Sequence, residues 1–231
     1  MRPTWLEPVV DGLARVQPHD LTSFVPPPGF KGREGAVLFL FGEGERGPDV
    51  LLTERAHHMR SHPGQVSFPG GSLDPEDAGP EAAALREANE ETGLDPTGVE
   101  ILGNLPRLWL PPSNFAVTPV LGWWRDESPV WVVDPGEVES VHRAPIAELL
   151  DPAHRITVTH PSGYRSPGFL IGDSKDLILW GFTAGVISKL FDFIGWTKPW
   201  DRSNLRELPG HMLGAYEARP SVRLDANLEE S

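Results

Sequence analysis

The sequence contains no cysteine. Disulfides, thiolate zinc sites and cysteine nucleophiles are therefore excluded. Long apolar runs are also missing. The longest, Ala36–Phe41 and Leu177–Trp180, fall far short of the roughly 20 residues of a membrane-spanning helix. The opening Met1-Arg2-Pro3-Thr4-Trp5-Leu6 lacks the apolar stretch and small-residue cleavage site of a secretory signal. These absences are compatible with a cytoplasmic protein that has no membrane partner. Basic residues are scarce: 20 Lys and Arg stand against 33 Asp and Glu, a formal charge of −13. Such a surface repels duplex DNA, so broad nucleic-acid binding is disfavoured. A phosphorylated small molecule is not excluded, because divalent cations neutralise carboxylates and present positive charge to phosphate.

What the chain does have is enough apolar and aromatic material for one large domain. Of its 231 residues 39 % are hydrophobic, with eight Trp and ten Phe. Residues 1–30 read as a lead-in with a short helix, ended by Pro26-Pro27-Pro28-Gly29. Gly35–Phe41 reads as a buried strand, Gly42–Pro48 as a turn, and Val50–Thr53 as a partner strand. His57–Gly64 is polar and predicted to be loop. Residues 81–92 are strong helix formers, with Pro80 suited to the first turn and Gly93 to the stop. Short strands are expected at Val99–Leu105, Val117–Trp124, Val130–Val133, Ile156–Thr159 and Phe169–Ile171. A short helix is expected over 145–150 and a final helix over Leu177–Phe193. After Trp200 the periodicity fades, which predicts one main domain over 31–200 and a mobile tail over 201–231. Strands interleaved with two main helices predict an α/β fold: a mixed sheet with helices on both faces.

The chemistry is concentrated in Arg86-Glu87-Ala88-Asn89-Glu90-Glu91-Thr92-Gly93-Leu94. At about 100° per residue, Glu87, Glu90 and Glu91 share roughly a 100° arc of the helix. Leu85, Ala88 and Thr92 fall on another side and are expected to face the core. Like charges at this spacing repel, and bound divalent cations are an economical compensation. Magnesium takes such oxygen ligands. The bland alternative is a solvated acidic face. Just upstream, Ser67-Phe68-Pro69-Gly70-Gly71 offers tandem glycines that allow close backbone approach, and Asp74, Glu76 and Asp77 lie between. Glycine turn, acidic loop and carboxylate helix within about twenty-five residues favour a metal site over a plain acidic surface.

The stretch from Gly71 to Leu94 resembles the Nudix hydrolase signature, with Arg86 to Leu94 matching every defined position. It departs in one place: the acid six residues after Gly71 is Asp77 where Glu is usual, and Arg86 follows nine residues later instead of eight. Leu51-Leu52-Thr53-Glu54-Arg55-Ala56 through His62-Pro63-Gly64-Gln65 to Phe68-Pro69-Gly70-Gly71 is similar to the extra motif of the coenzyme A diphosphatase branch. With later segments around Pro112–Pro119 and Leu179–Ala184, the resemblance covers residues 35–195. It implies a Nudix-type α/β/α sandwich that uses Mg2+ or Mn2+. Glu87, Glu90 and Glu91 would be ligands, assisted by the Gly70 carbonyl. Arg86 would orient a glutamate, and Glu91 or Glu137 would serve as base. Glu137 has a bland alternative as an ordinary turn carboxylate. Arg55 and Arg60 become candidates for phosphate contact; His62, Gly64 and Gln65 are the further substrate-binding candidates, His62 as a hydrogen-bond partner of the substrate and Gln65 as a support of the loop or a phosphate contact. The implied reaction is hydrolysis of the diphosphate of coenzyme A or a derivative to 3′,5′-ADP and a 4′-phosphopantetheine species. Two other readings stand beside it: a diphosphatase for ADP-ribose or a dinucleotide, and a nucleotide sensor that does not cut. A monomer and a homodimer are both compatible with the sequence.

Overall fold

The computed structural model of the protein describes residues 2–22, 24–59, 61–161 and 163–213. The chain opens with α1 (Glu7–Leu13) and α2 (Pro18–Leu21). The hairpin β1 (Arg33–Gly44) and β2 (Gly47–Arg55) follows, then the short strands β3 (Val66–Ser67) and β4 (Gly70–Ser72). The carboxylate helix is α3 (Pro80–Thr92). After it come β5 (Val99–Asn104), β6 (Leu108–Leu110), β7 (Phe115–Trp124) and β8 (Val138–Pro145). The rest is α4 (Ile146–Leu149), β9 (Arg155–Thr159), β10 (Arg165–Ile171), β11 (Leu177–Leu179), α5 (Gly181–Phe193) and β12 (Leu205–Glu207).

The run from Ala36 to Phe41 is apolar throughout because β1 is central and buried on both faces. It pairs parallel with β7 and antiparallel with β2 and β4, so the sheet is mixed, in the order β3-β2-β1-β7-β5. Alternate side chains feed two cores. Phe39, Phe41, Val50 and Leu52 pack with Ile187, Leu190 and Phe191 of α5 and with Leu6 and Val9 of the N-terminal segment. Ala36, Leu38, Leu40 and Leu51 pack with Ala83, Ala84 and Ala88 of α3. Helices therefore cover both faces, and the expected α/β/α sandwich is present. Each fully buried Leu or Phe contributes about 1.5–3 kcal/mol. The functional consequence lies in the alanines: small side chains let α3 sit close to the sheet and bring its glutamates against β4. The helix has Pro80 in its first turn and ends on Gly93 at φ +69, the left-handed stop that glycine adopts without strain.

Several elements differ from the sequence reading. Residues Gly42–Pro48 are mostly strand: β1 runs to Gly44 and pairs with Gly47, leaving Glu45 and Arg46 as the turn. Val130–Val133 is not a strand. Its Trp131 and Val133 N–H groups donate to the Thr92 and Glu91 carbonyls, which the end of α3 leaves without helical partners. The single helix expected over Leu177–Phe193 is a strand and a helix, parted at Gly181 with φ +72. Residues 201–213, expected as tail, are folded. There β12 pairs parallel with β9, and Leu208 and Met212 are buried on a second, four-stranded sheet. Residues 214–231 lie outside the described residues. No helix among the described residues is long and apolar enough to cross a membrane.

Candidate active site

The outward stripe of α3 meets β4 edge-on. Glu91 is buried at 8 % exposure, Glu87 is partly buried, and the Glu90 side chain is exposed. Gly70 N–H donates to Glu91 Oε2 at 3.2 Å. Gly70 itself is wedged on β1, where a Cβ would lie 2.6 Å from the Cα of Val37 and closer still to the Ala36 carbonyl oxygen. Gly71 faces the other way. A Cβ there would strike the Glu87 carboxyl, 2.5 Å from its Cδ. The glycine pair thus lets one strand touch β1 below and two glutamates above. Burial pushes the Glu91 carboxyl up to about 8; the Glu87 and Glu137 charges add to this, and the Gly70 N–H and Arg55 oppose it. Burial also raises Glu87, against the pull of Arg86.

Arg86 ties the acidic loop to the helix. Its Nε donates to Asp77 Oδ1 at 3.1 Å and its Nη2 to Asp77 Oδ2 at 3.0 Å, a fork-to-fork pair. Nη2 also donates to the Ser72 carbonyl at 3.1 Å. Nη1 lies 3.0 Å from Glu90 Oε2 and 3.2 Å from Glu87 Oε1. These bonds hold the Asp77 carboxyl below its ordinary value and raise the guanidinium above its own. The one-residue-longer loop with its shorter acid therefore still reaches Arg86. Asp77 was visible in the sequence only as an acid six residues after Gly71. Arg86 sits between Glu87 and Glu90, and among the described residues no three carboxylate or imidazole groups are gathered into a ready-made ion site.

The loop after β2 folds back on its own strand. Arg55 N–H donates to the Gln65 carbonyl at 3.0 Å, and Gly64 N–H to the Arg55 carbonyl at 3.1 Å. Gly64 has φ +66 and His62 φ +54, so the return is a tight left-handed turn. His62 is held below its ordinary pKa by burial and by Arg55, against a hydrogen bond with Gln65. Arg55 Nη2 lies 3.1 Å from Met59 Sδ, while its Nε is buried with no hydrogen-bond partner among the described residues. Glu137 is exposed, and its carbonyl accepts from Ala56 N–H at 2.9 Å. The charges of Arg55 and Glu137 therefore act on Glu91, and His62 and Gln65 adjoin one another on the Arg55 side. His58 is exposed. Arg60 lies outside the described residues. Glu54 lies within the Leu51–Ala56 motif, but nothing in the sequence points to its bonds with the His57, Ser140 and His142 side chains.

A family model described as the NUDIX domain matches residues 31–162. A protein of Enterobacter sp. (strain 638) named "Uncharacterized Nudix hydrolase NudL" is 40 % identical over 167 residues, covering 71 % of this chain and 83 % of its own. The protein of the same name from Escherichia coli (strain K12 / DH10B) is 39 % identical over 157 residues, covering 64 % and 76 %. Among solved structures, a Nudix hydrolase from M. smegmatis, RenU, aligns with a TM-score of 0.50 at 17 % identity, over 75 % of this chain and 92 % of its own. That last likeness is one of fold.

Proposed function

Since the chain belongs to the Nudix hydrolases, we propose that it cleaves the diphosphate linkage of coenzyme A or a derivative, giving 3′,5′-ADP and a 4′-phosphopantetheine species. One observation supports this reading: the loop whose sequence resembles the coenzyme A diphosphatase motif brings the Arg55 charge within range of Glu91, with a buried Nε donor that no group among the described residues satisfies. A buried guanidinium N–H without an acceptor is costly, and a phosphate oxygen is a matching acceptor.

Glu87, Glu90 and Glu91, with Gly70, are the proposed holders of Mg2+ or Mn2+. The donor chemistry fits these hard ions: all donors are oxygen, and two of the carboxyls have their charged forms disfavoured by burial, which a cation offsets. When bound, such cations supply positive charge to the phosphate oxygens and a more acidic water. Cation binding at Glu87 and Glu90 competes with Arg86 Nη1 for the same oxygens. Arg55 and Arg60 hold the diphosphate, and His62, Gly64 and Gln65 shape the loop around it. Of the two candidate bases, Glu91 is the buried one, bonded to the Gly70 N–H within the glutamate cluster. Glu137 approaches from the opposite loop. The attacking water loses its proton, its oxygen joins one phosphorus, and the bridging P–O bond breaks.

Incubation with coenzyme A, an acyl-coenzyme A, ADP-ribose and a dinucleotide in isotopically labelled water tests substrate and attacked phosphorus together. Label in one of the two phosphate products of coenzyme A is expected. Turnover of ADP-ribose with none of any coenzyme A species reverses the assignment. Glu90→Gln is expected to lower kcat about a hundredfold and to weaken divalent-ion binding seen by calorimetry. Unchanged turnover in that variant removes Glu90 from the site.

A further inference from the structure

One buried carboxylate has no place in the reaction outlined above. Glu54, next to Arg55 on β2, is 5 % exposed. Ser140 Oγ donates to its Oε2 at 2.6 Å, and His57 Nε2 lies 3.0 Å from its Oε1. His142 Nε2 lies 3.5 Å from Oε2 and 2.7 Å from Ser140 Oγ. A buried carboxylate is costly without such partners. Here they come from two other places: β8 supplies Ser140 and His142, and the turn after β2 supplies His57.

The position of this cluster gives it meaning. The ladder between β2 and β8 runs in regular register through Leu52↔His142, Thr53↔Val141 and Glu54↔Ser140. It then slips, and Arg55 pairs with Val138, leaving Glu139 as the extra residue of a bulge. Bulges re-aim the residues beyond them. Beyond this one lie Arg55 and, through the bond from Ala56 N–H to its carbonyl, Glu137. Both are close enough to Glu91 for their charges to shift it. Successive side chains of a strand point to opposite faces, so Arg55 stands on the face of β2 opposite Glu54, and its charge acts on Glu91.

We propose that Glu54 is a positioning residue, whose bonds to Ser140, His142 and His57 pin the bulge and so aim Arg55 at the diphosphate. The inference rests on the reading of Arg55 as a phosphate contact. Glu54 touches no reacting atom and acts only through Arg55.

The test is steady-state kinetics on the full chain, with the diphosphate that the wild type turns over best. The variants are Glu54→Leu, Glu54→Gln, Arg55→Met and the Glu54→Leu/Arg55→Met pair, each with a thermal midpoint. Glu54→Leu is expected to raise KM about tenfold with kcat within about twofold, the signature of lost uniform binding. Glu54→Gln keeps an acceptor for Ser140 and recovers most of the KM. In the double variant Glu54→Leu adds nothing to Arg55→Met, because the two act on one contact. Should Glu54→Leu fail to fold, Ser140→Ala takes its place with the same expected split. A KM raised by Arg55→Met but not by Glu54→Leu, or effects that multiply in the pair, overturns the positioning role alone. An unchanged KM in Arg55→Met overturns the phosphate reading and this proposal with it.

Discussion

Glu91→Gln is expected to lower kcat by about a thousandfold while making the metal-free protein more stable at alkaline pH. The two effects share one cause. Glu91 is buried, and its carboxyl is pushed up to about 8 from 4.5. A group whose folded pKa is raised in this way binds its proton more tightly in the native state. For an acid, the favourable contribution is fully present below the unfolded value and is lost as pH rises from there through the folded value. The window is therefore from 4.5 to about 8, with stability falling as pH rises. The slope approaches about 1.4 kcal/mol per pH unit within it. Glu87, also raised by burial, adds a fall of the same sign. Glutamine keeps an oxygen for the Gly70 N–H but has no proton to lose, so the slope from Glu91 disappears in the variant. Urea denaturation with a chelator present, at intervals from about pH 5 to about pH 9, measures it. Saturating Mg2+ or Mn2+ is expected to flatten the wild-type curve and leave the variant unmoved. Equal slopes in the two proteins would show that Glu91 carries its charge at no cost, and that burial does not set its proton affinity.

Legibility from sequence followed the range of the interactions. The α3 stripe, its Pro80 start and its Gly93 stop are set by neighbours a few residues apart, and they were readable. So was β1, whose unbroken apolar run has one reading once glycines bound it. The Val130–Val133 run has strand composition, but a strand needs a ladder partner. The carbonyls at the end of α3 took its N–H groups instead, a pairing some forty residues distant. β8 lacks a sequence signal for the opposite reason. Its Ser140 and His142 face a buried carboxylate rather than a hydrophobic core, so apolar alternation is missing there. The break at Gly181 was signalled by glycine and outweighed by the apolar residues around it. Within the site, spacing placed three glutamates on one stripe, but it did not place the Arg86 guanidinium between two of them. Long side chains choose among acids by geometry that a helical projection does not contain.

The two adjacent glycines are expected to separate folding from catalysis. Gly70→Ala places its Cβ 2.6 Å from the Cα of Val37 and nearer still to the Ala36 carbonyl, at φ +152, and backbone has no way to yield. Overpacking and a disallowed φ together are expected to cost at least about 3 kcal/mol. That loss appears as a lower urea midpoint with an unchanged slope. Gly71→Ala meets a different neighbour, the Glu87 carboxyl, which is the free end of a flexible side chain. The side chain can swing away, so stability is expected to stay within about 1 kcal/mol of wild type. Displaced from β4, however, Glu87 no longer lies beside Glu91. Turnover is expected to fall about a hundredfold, with divalent-ion affinity falling alongside it. A Gly71→Ala protein that folds and turns over normally would mean that the Glu87 carboxyl has no need of its place above β4. A Gly71→Ala protein that unfolds would put the strain in the strand and not in the glutamate. The contrast between the two substitutions separates the two approaches: one glycine lets the strand meet the sheet, and the other leaves room for the Glu87 carboxyl.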